Sequence, residues 1–275
     1  MSGLHSLEKV LVILDLFTED KLEWTPEQLM RELGYTRPTL YRYLKVLREA
    51  GLLTSLPGAG LMLGPRVVEM DYLMRKSDPL LQHGADHLHK LTQNLPCTAL
   101  LVRWYGRRLL CIASEVSTSD PLSSYPRGRP MPLGRGAISR SIMAFLPRAR
   151  MVTLIEENID ELRNIGLGTT VPEIVDGMKN VQRVGYAVAY GEVTPGVVGI
   201  AAPVFDATNS PIASLCVTVA GSLITPVHID ELGQQVMAAA TDISARLQHS
   251  RATTPNDDTQ PKQPLDLANT DRRRT

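Results

Sequence analysis

The sequence predicts an α+β protein in two parts, a small N-terminal winged helix-turn-helix and a larger domain on an antiparallel sheet. Three observations carry this. Two amphipathic helical patterns, at 25–33 and 37–49, are separated only by Gly34, Tyr35 and Thr36, which is the layout of a helix-turn-helix. The stretch "LLTSLPGAGLMLG" then alternates around a Gly-rich tip, as a short hairpin does. Beyond Pro79, strand-like runs are joined by turn-rich pieces, so hairpins dominate and the sheet is antiparallel.

The elements follow in order. Residues 6–18 place Leu7, Val10, Leu11, Leu14 and Phe17 on one helical face. The second helix, "TPEQLMREL", opens with Thr25 as cap, Pro26 in its first turn and Glu27 at the positive end of its dipole. Gly34 stops it in a left-handed cap. Thr36 suits the N-cap of the third helix, and Pro38 is tolerated in its first turn. At 100° per residue, Leu40, Tyr43, Leu44 and Leu47 share its inner face. Pro38, Tyr41, Arg42, Lys45 and Glu49 lie on the outer face, and Gly51 ends the helix. The amphipathic segment "PRVVEMDYLMRK" reads as a linker helix, broken at Asp78-Pro79.

In the second part, 80–94 is helical and "CTALLVRW" and "RRLLCIASEV" form a hairpin across Tyr105-Gly106. "GRGAISRSIMAFLP" is a Gly-led loop entering a helix that stops at Pro147. Helices follow at about 148–157 and 172–184. The runs "YAVAYGE", "VVGIAAPVF" and "PIASLCVTV" are strands, and the segment from Thr225 to Leu247 is a long closing helix. The polar tail 250–275 has no apolar period and reads as disordered. The predicted divisions are 1–64, the linker 65–78, 79–249 and the tail 250–275.

Composition narrows the function. An apolar fraction of 43% supports real cores, and 29 basic against 29 acidic residues leave no net charge, so any case for nucleic acid is local. The longest apolar runs are far too short to span a membrane, and Glu8, Lys9 and Asp15 break up the N-terminal apolar segment. Three scattered cysteines make no disulfide framework. These features predict a soluble, cytoplasmic protein.

The local case is the third helix, where Arg37, Arg42, Lys45 and Arg48 gather with no acid before Glu49. A charged helix face is ordinarily just solvated. Here the preceding helix, the tight turn and the wing all fit entry into a major groove of duplex DNA. Arg42 is then expected to read a guanine edge or meet phosphate, and Lys45 to meet phosphate. Thr36, Arg37, Thr39 and Tyr41 complete the expected DNA-binding set, the threonines suiting phosphate near the helix N-terminus. Ser55, Pro57 and Gly58 of the wing either brush the minor groove or form an ordinary tight hairpin.

This organisation resembles the isocitrate-lyase-regulator (IclR) family of bacterial transcription factors over residues 4 to about 248. At the N-terminus the likeness rests on "SLEKVLVILDLF", "TPEQLMRELGYTRPTLYRYLKVLREAGLL" and "LMLG". In the second domain it rests on "GRPMPLGRGAISRSIMAFLP" and on the run from Val181 to Val219. The resemblance implies a non-enzymatic repressor or activator, dimeric or tetrameric, that binds a pseudo-palindromic operator. It also implies a GAF-like C-terminal domain that takes a small effector and no cofactor. Carried over residue by residue, the effector site has Met131, Gly136 and Ala137 on one wall and Val197, Gly199, Cys216 and Thr218 on the other, with Glu192 at the rim. Without the family, these would be small residues packing a sheet under a helix.

The chain departs from the family pattern in four places. Arg140, preceded by Ser139, replaces a common Lys; Gly134 replaces a frequent His; and Ala189 and Tyr190 stand where acids are often found. Arg127, Arg129 and Arg135 crowd the same loop, either to meet a carboxylate or as solvated surface. The expected effector is an organic acid, with an aromatic body as one option. Other readings are weaker. His83 and His87 are four apart on one helix, with His89 beside them, but no further ligands accompany them and a solvated surface is the better reading. Cys111 and Cys216 lie in apolar strands, where thiols are usually buried and inert. No nucleophile elbow, phosphate loop or metal quartet supports an enzyme.

Overall fold

The computed structural model describes residues 2–56, 58, 60–93 and 95–252. The chain divides into two compact units, Met1–Asp78 and Pro79–Thr275.

The first unit contains α1 (Ser2–Asp15), α2 (Pro26–Leu33), α3 (Arg37–Glu49), β1 (Leu53–Leu56), β2 (Gly60–Leu63) and α4 (Arg66–Ser77). The start of α2 is a full capping box: Thr25 Oγ1 accepts from Gln28 N at 3.2 Å and Gln28 Oε1 accepts from Thr25 N at 2.9 Å. Gly34 ends α2 at φ +65°, its N–H bonded to the Met30 carbonyl at 3.0 Å. A side chain there would be strained, so the glycine fixes where α2 stops and α3 can begin. Leu40, Tyr43, Leu44 and Leu47 of α3 are all buried, as the helical period predicts. They pack with Leu29 of α2, Ile13 of α1 and Trp24. The wing hairpin pairs Leu53 with Leu63 through to Leu56 with Gly60, and Trp24 bridges to Leu61 beside it.

Two expectations for this unit need correction. In α1 the fully buried residue is Ile13, while Leu7 and Leu11 are more than half exposed. That helix is apolar on more than one side, and its contact with α3 selects the stripe around Ile13. Thr36 adopts the N-cap conformation but makes no capping bond. Its hydroxyl instead meets that of Thr39 at 3.0 Å. At the wing tip, Pro57 lies outside the described residues. The linker helix forms as expected, as α4, and buries no residue; Val68, Tyr72 and Leu73 are each more than half exposed.

The second unit contains α5 (Pro79–Gln93), β3 (Cys97–Trp104), β4 (Leu109–Val116), β5 (Pro130–Met131), α6 (Ala137–Met143), α7 (Arg148–Glu157) and α8 (Ile159–Asn164). Then come α9 (Val171–Val184), β6 (Ala187–Tyr190), β7 (Val197–Phe205), β8 (Pro211–Ala220) and α10 (Pro226–Ala252). The strands form one sheet in the order β5-β4-β3-β8-β7-β6, every neighbour antiparallel. β3 and β8 sit at its centre and join the early hairpin to the later strands.

Alternation along β3 explains the layers. Ala99 and Leu101 point to one face, where Leu88 of α5 and Val236, Ala240 and Ile243 of α10 cover them. Leu100 and Val102 point to the other, with Cys111, Cys216 and Ala137, Ile138 and Ile142 of α6. Burial on both faces is why β3 reads as an unbroken apolar run. Helices α7, α8 and α9 pack their own cluster around Met143, Leu154, Leu162 and Met178. β5 and α8 were not predicted. The closing helix reaches Ala252, three residues into the segment read as a disordered tail; residues 253–275 lie outside the described residues.

Candidate functional site

The expected DNA-binding residues lie together at the start and on the outer face of α3. Thr36, Arg37, Tyr41, Arg42 and Lys45 are exposed, and Thr39 is half-buried. The Arg37 guanidinium lies 5.5 Å from the Tyr41 ring centre, and Arg42 lies 5.4 Å from that of Tyr43. In these cation–π contacts the guanidinium charge meets the ring and steadies each arginine on the helix. Lys45 is 3.8 Å from Glu49 across two exposed side chains, a pair a phosphate can readily replace. Tyr41, Lys45 and Arg48 line a groove between α3 and the hairpin, with Thr54 and Ser55 on its other side. Arg48, which was not in the expected DNA-binding set, also lines this groove.

The second candidate site is a cavity in the second unit, between α6, the sheet and the loop 191–196. All eight residues carried over from the resemblance line it: Met131, Gly136, Ala137, Glu192, Val197, Gly199, Cys216 and Thr218. Leu100, Leu109, Ser123, Tyr125, Arg135, Ile138, Ser139, Ala189, Val193 and Thr194 also line it and were not in that set. The space open to water-sized molecules is about 50 Å³, enough for a few waters. Gly136 starts α6 at φ +87°, and a Cβ there would come within 2.7 Å of Val193 Cγ2. Only glycine lets the loop close this tightly.

Glu192 is not a free acid at the rim. Arg140 Nη1 lies 2.8 Å from both of its carboxylate oxygens, and Gly136 N–H donates to Oε2 at 2.8 Å. Arg140 also donates to the Val188 carbonyl. The pair is nearly enclosed, with 6% and 13% of the two side chains exposed. A carboxylate on the loop thus ties the loop to α6, and Arg140 ties α6 to β6. Nothing in the sequence pattern marked this pair; the structure shows it, with Arg140 in a helix, α6, in which every residue is buried.

Other polar groups of the site are also engaged. Thr218 Oγ1 donates to the Thr98 carbonyl at 3.2 Å, Ser139 to the Leu133 carbonyl, and Thr194 and Ser124 share a 2.9 Å hydroxyl contact. Burial pushes the Cys216 thiol up to about 12 and the Cys111 thiol up to about 11, so both are protonated at neutral pH. Arg127 Nε donates to the Ile112 carbonyl at 2.6 Å. Arg129 donates to the Ser124 carbonyl at 2.5 Å and stacks 5.1 Å from the Tyr125 ring centre. Of the three loop arginines, only Arg135 lines the cavity. Two histidines of α5 face acids: His87 Nε2 is 2.7 Å from Asp242 Oδ2, and His89 Nδ1 is 2.5 Å from Glu115 Oε1.

Comparison with known families decides the identity. Residues 74–245 match the family described as bacterial transcriptional regulator IclR C-terminal, and residues 6–57 match the IclR helix-turn-helix domain. The chain belongs to the IclR family of transcriptional regulators. It is similar to the HTH-type transcriptional regulator XynR of Escherichia coli, 25% identical over 249 residues, covering 90% of this chain and 98% of that one. The fold is that of solved IclR structures. An IclR transcriptional regulator from Alicyclobacillus acidocaldarius gives a TM-score of 0.75 at 22% identity, covering 88% and 98% of the two chains. An IclR homolog from Microbacterium hydrocarbonoxydans, complexed with 4-hydroxybenzoate, gives 0.72 at 21%, covering 90% and 100%. IclR proteins are DNA-binding regulators, which removes the enzyme alternative.

Proposed function

We propose that this IclR-family regulator binds a pseudo-palindromic operator through α3 and answers to a small organic acid held in the cavity under α6. It works as a cytoplasmic dimer or tetramer and controls catabolism of that acid. The observation that carries the effector reading is the cavity itself, which has an apolar wall of Leu100, Leu109, Met131 and Ile138 and a cationic side chain, Arg135, at its lining. A structural relative of the same fold is complexed with 4-hydroxybenzoate, an aromatic acid. Self-association is supported by α4, which buries nothing and exposes Val68, Tyr72 and Leu73.

DNA contacts follow from α3. Arg42 presents a planar fork suited to a guanine edge, Lys45 and Arg48 face the groove toward the hairpin, and Thr36, Arg37, Thr39 and Tyr41 reach phosphate. An effector changes operator affinity only as far as it binds the two states of the protein differently. An effector seated between α6, the sheet and the loop 191–196 would supply such a difference by bearing on all three. The test is selection of a binding site from random-centre duplex DNA, followed by titration of the selected complex with aliphatic and aromatic acids. A two-fold-related site whose affinity one acid changes supports the reading; a selected site indifferent to every acid removes the effector half of it.

A further inference from the structure

We propose that Arg135 is the carboxylate anchor of the effector, with Glu161 holding its place until the effector arrives. The inference rests on the effector reading above and narrows the ligand to a monocarboxylate with an apolar body.

Charge accounting inside the cavity points this way. Its one acidic lining residue, Glu192, is already matched by Arg140 and by the Gly136 N–H. A cationic ligand therefore finds no available acid. Arg127 and Arg129 are turned to backbone carbonyls and do not line the space. Arg135 does line it, and its Nε is buried without a hydrogen bond, the one such side-chain nitrogen or oxygen among the described residues. A buried donor left in that condition is costly and stands ready for an acceptor.

Arg135 does have an acidic neighbour. Glu161 Oε1 lies 3.2 Å from Nε, an ion pair whose geometry makes no hydrogen bond. Both side chains are 39% exposed, so solvent weakens the pair and the carboxylate is exchangeable. Gly134 is what admits Glu161: a Cβ at 134 would come within 2.9 Å of Glu161 Oε2 and 3.0 Å of its Cβ. The glycine and the arginine that open "GRGA" thus act as one device. The glycine makes room for an internal carboxylate, and the arginine receives either that carboxylate or a ligand's. The rest of the lining combines apolar side chains such as Leu100, Leu109, Met131 and Ile138 with hydroxyls and holds no second cation, which is why a single carboxylate is specified.

The experiment uses the full chain and isothermal titration with acetate, hexanoate, benzoate and 4-hydroxybenzoate, each beside its neutral primary amide. The wild type is expected to bind at least one acid and to reject its amide. Arg135→Gln is expected to weaken that acid by about 10- to 100-fold, the factor for one charge-assisted hydrogen bond. Glu161→Gln is expected to tighten it by up to about 5-fold, because the internal competitor is gone. If the pair were only structural, the two variants would shift affinity in the same direction. Equal binding of acid and amide, unchanged affinity in Arg135→Gln, or weakened affinity in Glu161→Gln each overturns the proposal and leaves the effector reading standing. If no acid and no amide binds the wild type, the organic-acid effector reading falls and this proposal falls with it.

Discussion

Removing the Glu192 carboxylate should unfold the second unit far more easily than its position on a loop suggests. Arg140 is 6% exposed and Glu192 13% exposed, and both carboxylate oxygens lie 2.8 Å from Arg140 Nη1. Glu192→Ala leaves a guanidinium enclosed without its counter-charge and strips the Gly136 N–H of its acceptor. Breaking one side of such a pair costs about 3–5 kcal/mol. In a domain of this size 1 kcal/mol moves the melting temperature by about 2–4 °C, so a fall of about 6–20 °C is expected. Arg140→Ala should cost a similar amount. The double variant should lose clearly less than the sum of the two, with a coupling of about 2 kcal/mol or more. The assay is urea unfolding followed by Trp104 fluorescence in a Trp24→Phe background, which leaves the reporter in β3 of the second unit. Single variants each costing under about 1 kcal/mol, or strictly additive losses, would refute the claim that this pair ties the loop to α6.

Three further outcomes are expected. Thr25→Ala removes half of the α2 capping box and should cost the first unit about 1 kcal/mol, read as a lower urea midpoint for that unit. Cys216 and Cys111 should resist iodoacetamide at pH 8 in the native protein and react once urea unfolds it. Because burial holds their thiols protonated to about 12 and about 11, raising the pH to 9 should not open either to alkylation, whereas rapid native labelling would contradict their burial. Lys45→Ala should lower the slope of log affinity for DNA against log salt by about one, with little change in sequence preference. An unchanged slope would place Lys45 away from phosphate.

How far the sequence carried the account differs from element to element. The inner face of α3 was legible because four apolar residues at helical spacing meet one partner surface, and Thr25, Pro26 and Gly34 mark the ends of α2 chemically. The face of α1 was legible in part: Val10, Leu14 and Phe17 pack on the core, but Leu7 and Leu11 stay exposed and Ile13 takes the buried place, because only packing partners choose among the apolar stripes. β5 has two residues and α8 six, too few to show a period. The pairing of β3 with β8 joins Cys97 to Val219, a contact no local pattern contains. The ring of eight cavity residues came from the family resemblance rather than from periodicity. The Arg140–Glu192 pair, 52 residues apart in the chain, came from neither, since each residue alone reads as ordinary surface charge.

The most direct test of the central claim is the affinity of the full chain for its selected operator, measured by fluorescence anisotropy at one fixed salt concentration for the wild type and Arg42→Ala. If α3 reads the major groove through Arg42, the variant should lose about 1–3 kcal/mol on the operator, roughly 5- to 150-fold, and much less on unrelated duplex. Equal affinity of the two proteins for the operator would contradict the assignment and return the basic face of α3 to the status of a solvated surface.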